Sequence, residues 1–297
     1  MSNTSAVLRR KITAAGDLRS VVRAMKGIAA SNIGRCDQSV SSTKEYFRAV
    51  ELGLGACLRE KDAADWVLER KGTSAVNRVG AVIIGTDQGL VGQFNDVVAE
   101  DAMKTFATFP SSPEVWVVGE RLDNLLTDAG LSPKALLNAP NSVEAIIPLV
   151  GRILVESMSP HGQGELSELH LFYNRPTAGS LYAPVHQRLI PLDETWRIGM
   201  TRHSWPDGRL PEVLGGDASL RDLISEYLFI SIFRACTESL ASENTSRLSA
   251  MSRADKNIGE LLEDLTGQAH RFRQGGIDEE LFDVITGFEA LSSGARG

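Results

Sequence analysis

Mostly apolar residues recur every three or four positions from Leu8 through Ile12, Ala15, Leu18, Val22 and Met25 to Phe47, Val50, Leu54 and Cys57. The fourteen steps between Leu8 and Cys57 span 49 positions, a mean of 3.5. That is the repeat of a coiled-coil seam rather than the 3.6 of a straight surface helix. The pattern predicts one long helix, roughly 75–85 Å at 1.5 Å per residue. A second such arm runs from Leu220 to Leu291, with apolar positions at Leu223, Tyr227, Ile230 and Phe233, then Leu248, Met251, Ile258, Leu262, Leu265 and Phe272. Between these runs, Glu238 to Arg247 is mostly small and polar. Two helices at opposite ends of the chain can bury their seams against each other. They are expected to run antiparallel and to stand clear of any compact domain.

Between the arms the period changes. VGAVIIG (79–85), VWVVG (115–119) and LHLFYN (169–174) are short apolar runs of buried-strand type, and Tyr182–Leu189 is a further candidate strand. Helical patterns over Asp96–Thr108, Glu120–Ala129 and Val143–Met158 separate them, the last opened by Asn141 with Glu144 in capping-box spacing. Strands alternating with helices predict a parallel sheet covered on both faces. Residues 191–212 read as a loop. All 11 prolines lie between Pro110 and Pro211. Because proline breaks helix interiors, this agrees with two helical arms around a compact insert. The division expected is a helix over 1–60, an α/β domain over 75–212 and a second helix over 213–297.

Composition adds little to this picture and removes several function classes. With 42% apolar and 23% charged residues in 297, the chain can bury a core, and no apolar run is long enough to span a membrane. Cys36, Cys57 and Cys236 have neither disulfide nor zinc spacing and read as small buried hydrophobes in a reducing compartment. Net charge is −7, against nucleic acid as the main partner, yet residues 1–35 carry seven basic groups and one acid. A basic, acid-poor start resembles an organelle transit peptide. The unbroken seam from Leu8 to Cys57 argues instead for a structural helix.

Catalytic signatures are missing. There is no Gly-Lys-Ser/Thr phosphate loop. GTDQGLVGQFN (85–95) links a strand to a helix, but its spacing is not that of a dinucleotide loop, and Asp87 would repel a pyrophosphate. It reads as a structural turn with Asn95 as helix cap. The five histidines are scattered, with no metal-ligand spacing. No catalytic, cofactor or metal residue is therefore assigned.

Three stretches carry a family resemblance. They are Leu8-Arg9-Arg10-Lys11-Ile12 with Val22-Arg23-Ala24-Met25-Lys26-Gly27-Ile28-Ala29-Ala30-Ser31, then Gly85-Thr86-Asp87-Gln88-Gly89-Leu90-Val91-Gly92-Gln93-Phe94-Asn95, and a C-terminal set. That set comprises Leu240-Ala241-Ser242-Glu243-Asn244, Arg247-Leu248-Ser249-Ala250-Met251, Asp255-Lys256-Asn257 and Arg273-Gln274-Gly275-Gly276-Ile277-Asp278-Glu279-Glu280-Leu281. In order, spacing and length the chain resembles the gamma subunit of F-type ATP synthases. The resemblance implies an antiparallel coiled coil of terminal helices with a central Rossmann-like domain, acting as a rotor shaft. It implies as partners the alpha and beta subunits of the catalytic ring, the epsilon subunit and the membrane c-ring, with no cofactor and no direct small-molecule ligand. It places the protein peripherally on the cytoplasmic face of a bacterial inner membrane. By position it assigns Met25 and Lys26 to contact with an acidic lever of the beta subunit, and Arg247, Gln274 and Glu280 to coupling or stator contacts. Gln88, Val91, Gln93, Asn32, Asp278 and Phe288 depart from the family pattern and imply a divergent member, of the kind found in alternative F-type complexes. The transported ion, H⁺ or Na⁺, is not written in this chain. Two other classes stay open on the residues alone: a nucleotide-binding α/β enzyme, and a coiled-coil adaptor unrelated to energy conversion.

Overall fold

The computed structural model describes residues 2–59, 78–158, 166–192, 194–202, 205 and 216–294. The expected boundaries at residues 60, 75, 212 and 213 lie outside the described residues, as do His161 and His203. The elements are α1 (Ser2–Cys57), β1 (Val79–Ile84), α2 (Phe94–Phe106), β2 (Glu114–Val118), α3 (Glu120–Asp128), β3 (Ala135–Leu137), α4 (Ile146–Met158), β4 (Glu168–Thr177), β5 (Ser180–Ile190), α5 (Glu194–Thr201) and α6 (Gly216–Gly294). They form two compact units, one of residues Ala29–Arg247 and one of Met1–Ile28 with Leu248–Gly297.

In the larger unit the strands form one sheet in the order β3-β2-β1-β4-β5. The first four are parallel, and β5 returns antiparallel along β4. The predicted parallel sheet is thus mixed at one edge, because the turn between β4 and β5 is too short for a crossover helix. Strand periodicity divides the apolar residues into two cores. Ala81, Ile83, Val115, Val117 and Phe172 face α2 and α3, where they meet Val98, Ala102, Leu122 and Leu126. Val82, Ile84, Trp116, Val118, Leu171 and Tyr173 face the opposite way, against Ile146, Val150 and Ile153 of α4. Adjacent residues of one strand point to opposite faces, so a strand buried on both faces reads as an unbroken apolar run.

The second core continues through Cys36, Val50, Leu54 and Cys57 of α1 and Leu220, Tyr227, Ile232, Phe233 and Cys236 of α6. Over residues 29–57 and 216–247 the two helices therefore belong to the compact unit rather than standing clear of a domain. They run antiparallel there: Asn32 meets Asn244, Phe47 meets Tyr227 and Gly53 meets Leu223. The three cysteines are buried and outside any disulfide. Burial pushes the Cys36 thiol up to about 11 and that of Cys236 to about 12.

The smaller unit is a helix pair. Ala15 and Val22 pack on Met251 and Ile258, with Met25, Ala254 and Leu262 alongside. The seam departs from expectation at one position. Leu18 is 54% exposed, and the step passes through Arg19, whose Nε donates to Asp255 Oδ1 at 2.9 Å. The Arg19 guanidinium lies over Gly259, where a Cβ would come within 3.1 Å of it. Arg23 Nε donates to the same Asp255 oxygen at 3.1 Å. An arginine can occupy a seam when its head finds a carboxylate and its stem covers the partner helix.

Two further expectations need correction, and one strand has no counterpart among the expected elements. Residues 191–212 are not simply a loop, since α5 lies within them with Met200 buried in the core. The helix expected from Val143 begins at Ile146, and its Glu144 bonds Ser142, so the Asn141–Glu144 capping box gives way to a shorter local turn. β3 is three residues long, too short to leave a periodic signature in the sequence.

Candidate functional site

The segment joining β1 to α2 is built around two contacts that the sequence pattern did not show. Asn95 does not cap α2, whose N-cap is Gln93. Its side chain turns back instead: Oδ1 accepts the Thr86 N–H at 3.1 Å and Nδ2 donates to Thr86 Oγ1 at 3.0 Å. Asp87 spans two neighbouring segments. Its Oδ1 accepts the Glu120 N–H at the start of α3, and its Oδ2 accepts the Ala139 N–H, each at 3.0 Å. A carboxylate at a helix N-terminus satisfies a free N–H and meets the positive end of the helix dipole. Two glycines make the close approach workable. A Cβ on Gly85 would lie 2.5 Å from Leu122 Cβ, and one on Gly119, at φ 107°, would lie 2.6 Å from the Thr86 nitrogen.

The loop that follows holds Leu90 at φ 64°, a left-handed conformation that costs a branched residue about 1–2 kcal/mol. The Leu90 side chain is 60% exposed, while Val91 and Phe94 are buried. The loop is fastened to α6 and to β4. Ser246 Oγ donates to the Val91 carbonyl at 2.6 Å, and Asn174 Nδ2 donates to the Phe94 carbonyl at 2.8 Å. Ser242 Oγ lies 3.2 Å from the Asn174 carbonyl and 2.8 Å from its own helix's Glu238 carbonyl.

This explains the small, polar stretch Glu238–Arg247, which is almost wholly buried. Short side chains let the helix approach the sheet closely. Thr237, Ser242 and Thr245 each donate to the carbonyl four residues back, so their hydroxyls need no outside partner. The charges are paired. Glu238 accepts from Arg175 at 2.6 Å and from Arg234 at 2.8 Å, and Glu243 accepts from Arg247 at 2.6 Å. Burial raises the Glu243 pKa against the opposing pull of Arg247, and the Asp87 charge adds to the rise. Asn32, one of the departures from the family pattern, meets Asn244 amide to amide at 3.4 Å. A proline-free run of Ser, Thr, Ala and Asn with few long side chains was the available sequence signal.

The five residues singled out from sequence do not form one site. Met25 is half-buried on the Val22–Met251 cluster. Lys26 beside it is half-buried and has no ion-pair partner among the described residues. Gln274 is exposed on α6, about 35 Å along the helix from Met251 at 1.5 Å per residue. Glu280 falls within the range of α6, with its side chain outside those described. Arg247 lies in the larger unit, chelated by Glu243. Scattered contacts along helices suit a surface that meets partners, whereas an active site needs convergent groups.

The structure also joins two histidines that lie 16 residues apart. His170 Nδ1 is 2.8 Å from His186 Nε2, and His170 Nε2 is 3.0 Å from Glu168 Oε2. His186 stacks on Phe172, with ring centroids 4.6 Å apart. Burial and the neighbouring His170 lower the His186 pKa.

Comparison with known proteins agrees with this architecture. The chain is 26% identical over 293 residues to the ATP synthase gamma chain of Glaesserella parasuis, covering 96% of this chain and 98% of the relative. It is 25% identical over 295 residues to that of Desulfitobacterium hafniense, with the same coverage. Among solved structures it matches a chain of the Euglena gracilis mitochondrial ATP synthase (OSCP/F1/c-ring, rotational state 3). The TM-score is 0.63 at 16% identity, covering 100% of this chain and 97% of that one. It also matches a chain of the Tetrahymena thermophila mitochondrial ATP synthase central stalk and c-ring, at TM-score 0.55 and 22% identity, covering 79% and 99%. The family model described as ATP synthase matches residues 4–291, and the chain belongs to that family, in its gamma branch.

Proposed function

We infer that the chain is the central-stalk rotor subunit of an F-type ATP synthase. It couples ion translocation through the membrane sector to ATP synthesis or hydrolysis at the alpha-beta ring by rotation. The observation that carries this reading is the helix pair of the smaller unit, used over the length of the family match. Its apolar seam and the Arg19–Asp255–Arg23 clamp resist sliding of one helix past the other, as a torque-bearing shaft requires. Toward its end α6 exposes Phe272, Ile277, Leu281, Phe282 and Val284, an apolar surface that a surrounding ring of subunits would cover.

The proposed division is a shaft of residues 1–60 and 213–297 with a base of residues 75–212 that meets the c-ring and the epsilon subunit. The subunit performs no chemistry of its own. Support for this comes from Asp87, which sets a negative charge in the β1–α2 turn, where it would repel a phosphate, and which itself accepts the Glu120 N–H at the start of α3. Among the described residues no helix is long and apolar enough to cross a membrane. The proposed location is the cytoplasmic face of a bacterial inner membrane, held there by the c-ring. The ion moved is H⁺ or Na⁺ and is selected by that ring.

Met25, Lys26, Arg247, Gln274 and Glu280 are proposed as coupling contacts. The test is Met25→Lys in the assembled complex, measuring ATP hydrolysis and ion pumping in membrane vesicles. Met25 is only half-buried, so an added lysine can extend its head outward without opening the seam. Pumping should fall more than hydrolysis. Equal loss of both, with less complex recovered, would show an assembly defect and remove Met25 from the coupling surface.

A further inference from the structure

Beyond the rotor role, the paired histidines of the β4–β5 edge carry an inference of their own. The register sets His186 of β5 opposite Phe172 of β4, and Arg188 opposite His170. His170 is buried, held between the rings of Phe109 and His186. His186 is exposed and stacks within 4° of parallel on the wholly buried Phe172. Besides its backbone ladder, β5 is therefore fastened here by a ring stack and by the hydrogen bond between His170 Nδ1 and His186 Nε2, at 2.8 Å.

The protons decide what this bond tolerates. An ionised carboxylate only accepts, so the Glu168 contact at 3.0 Å places a proton on His170 Nε2. In the neutral pair His170 Nδ1 is then the acceptor and the His186 Nε2–H the donor. A first added proton goes to His186 Nδ1, and the bond survives with a charged donor. Only His170 Nδ1 is then without a proton. A second added proton must take that nitrogen, the acceptor of the bond itself. Two N–H groups of like-charged rings would face each other across 2.8 Å, and the contact breaks.

The neighbouring charges come from three elements. Glu168 on β4 favours a cation on His170, Asp101 on α2 favours one on His186, and the Arg188 cation on β5, opposite His170, opposes it. Phe109, after α2, adds no charge. Burial and His170 outweigh Asp101, so the His186 pKa lies below its ordinary value of 6.5.

We propose that His170 and His186 form an acid-released clasp on the edge strand. The clasp stays closed with no added proton or with one, and opens on the second, when the His186 ring leaves Phe172 for solvent. Closed, the pair takes up one proton; open, each imidazole titrates near its ordinary value and the pair takes up two. Opening binds a proton, so acid favours the open form. The clasp is intact above about pH 6.5, and the ratio of open to closed rises roughly tenfold per pH unit below it.

The test is a titration of the full chain from about pH 8 to about pH 4.5, read by NMR of the imidazole C–H groups. The expected result is two separate steps for the pair. The ring-current shift that Phe172 imposes on His186 should persist through the first step and vanish in the second. His186→Gln supplies a neutral clasp, because its amide can turn from donor to acceptor when His170 takes a proton. From about pH 7.5 to about pH 5 the unfolding constant from urea melts should therefore rise roughly tenfold more for the native chain than for His186→Gln. An equal rise in the two chains would overturn the clasp. So would a native titration in which both rings gain their protons while the ring-current shift stays. That titration alone decides the matter if the variant fails to fold.

Discussion

Asp87 offers the sharpest test of how the loop at the head of the sheet is held. Asp87→Ala removes acceptors from two backbone N–H groups, Glu120 and Ala139, each 3.0 Å from a carboxylate oxygen. A hydrogen bond to a charged group contributes about 1.5–3 kcal/mol. The Glu120 bond is exposed, so water replaces part of it, while the Ala139 bond is half-buried and keeps more of its value. Counting about 1 kcal/mol for the first and 1.5–3 for the second gives a loss of roughly 2.5–4 kcal/mol. Removing a carboxylate that raises the Glu243 pKa returns a little of this, which favours the lower half of the range. Asp87→Asn keeps one acceptor oxygen and should cost about half as much as alanine. Urea unfolding followed by the fluorescence of Trp116, buried in the sheet core, reports on this unit. A midpoint for Asp87→Ala equivalent to a change within about 0.5 kcal/mol, the range of ordinary surface substitutions, would show that the carboxylate does not hold the two segments. The bridge would then be incidental to stability.

Other expectations follow from particular contacts. Gly275 and Gly276 lie in the uninterrupted α6, and a Cβ at either meets no atom within 4 Å. Substituting both by alanine should stabilise the local helix by roughly 1.5–2 kcal/mol, measured as slower amide exchange around residue 275. Slower exchange with a changed rate only under load would mark a compliant point, and unchanged exchange would contradict the helix argument. Cys36 and Cys236 should resist a thiol reagent at pH 8 until the chain is unfolded, since burial holds their pKa values near 11 and 12. Rapid native-state labelling would contradict their placement. Arg19 and Arg23 hold the Asp255 pKa below its ordinary value of 3.8. The clamp is therefore fully formed above that value and is lost as the pH falls through the lower folded-state value. Asp255→Asn should flatten the acid limb of stability against pH, and an unchanged limb would mean that other carboxylates set it.

Elements whose physics is local and repetitive were legible from the order of residues alone. A seam sustained over fourteen steps predicts a long helix without knowledge of its partner, and Leu8, Ala15, Val22, Ala29, Cys36, Val50 and Leu54 are buried along it. β1 and β2 were legible because strands buried on both faces must be apolar throughout. Motif order was enough to suggest the family. Tertiary structure decided what depends on residues far apart in the chain. Leu18 lost its seam position to Arg19 because Asp255, 236 residues away, supplies a carboxylate there. Asn95 reads as a cap locally but bonds Thr86, since the strand end returns beside it. The run Glu238–Arg247 reads in the sequence only as mostly small and polar, yet it is the buried side of the loop contact, its hydroxyls satisfied by its own carbonyls and by Val91. His170 and His186 meet through strand register alone. Periodicity records which residues need burial, whereas the partner that buries or pairs each of them is set only when distant segments are brought together.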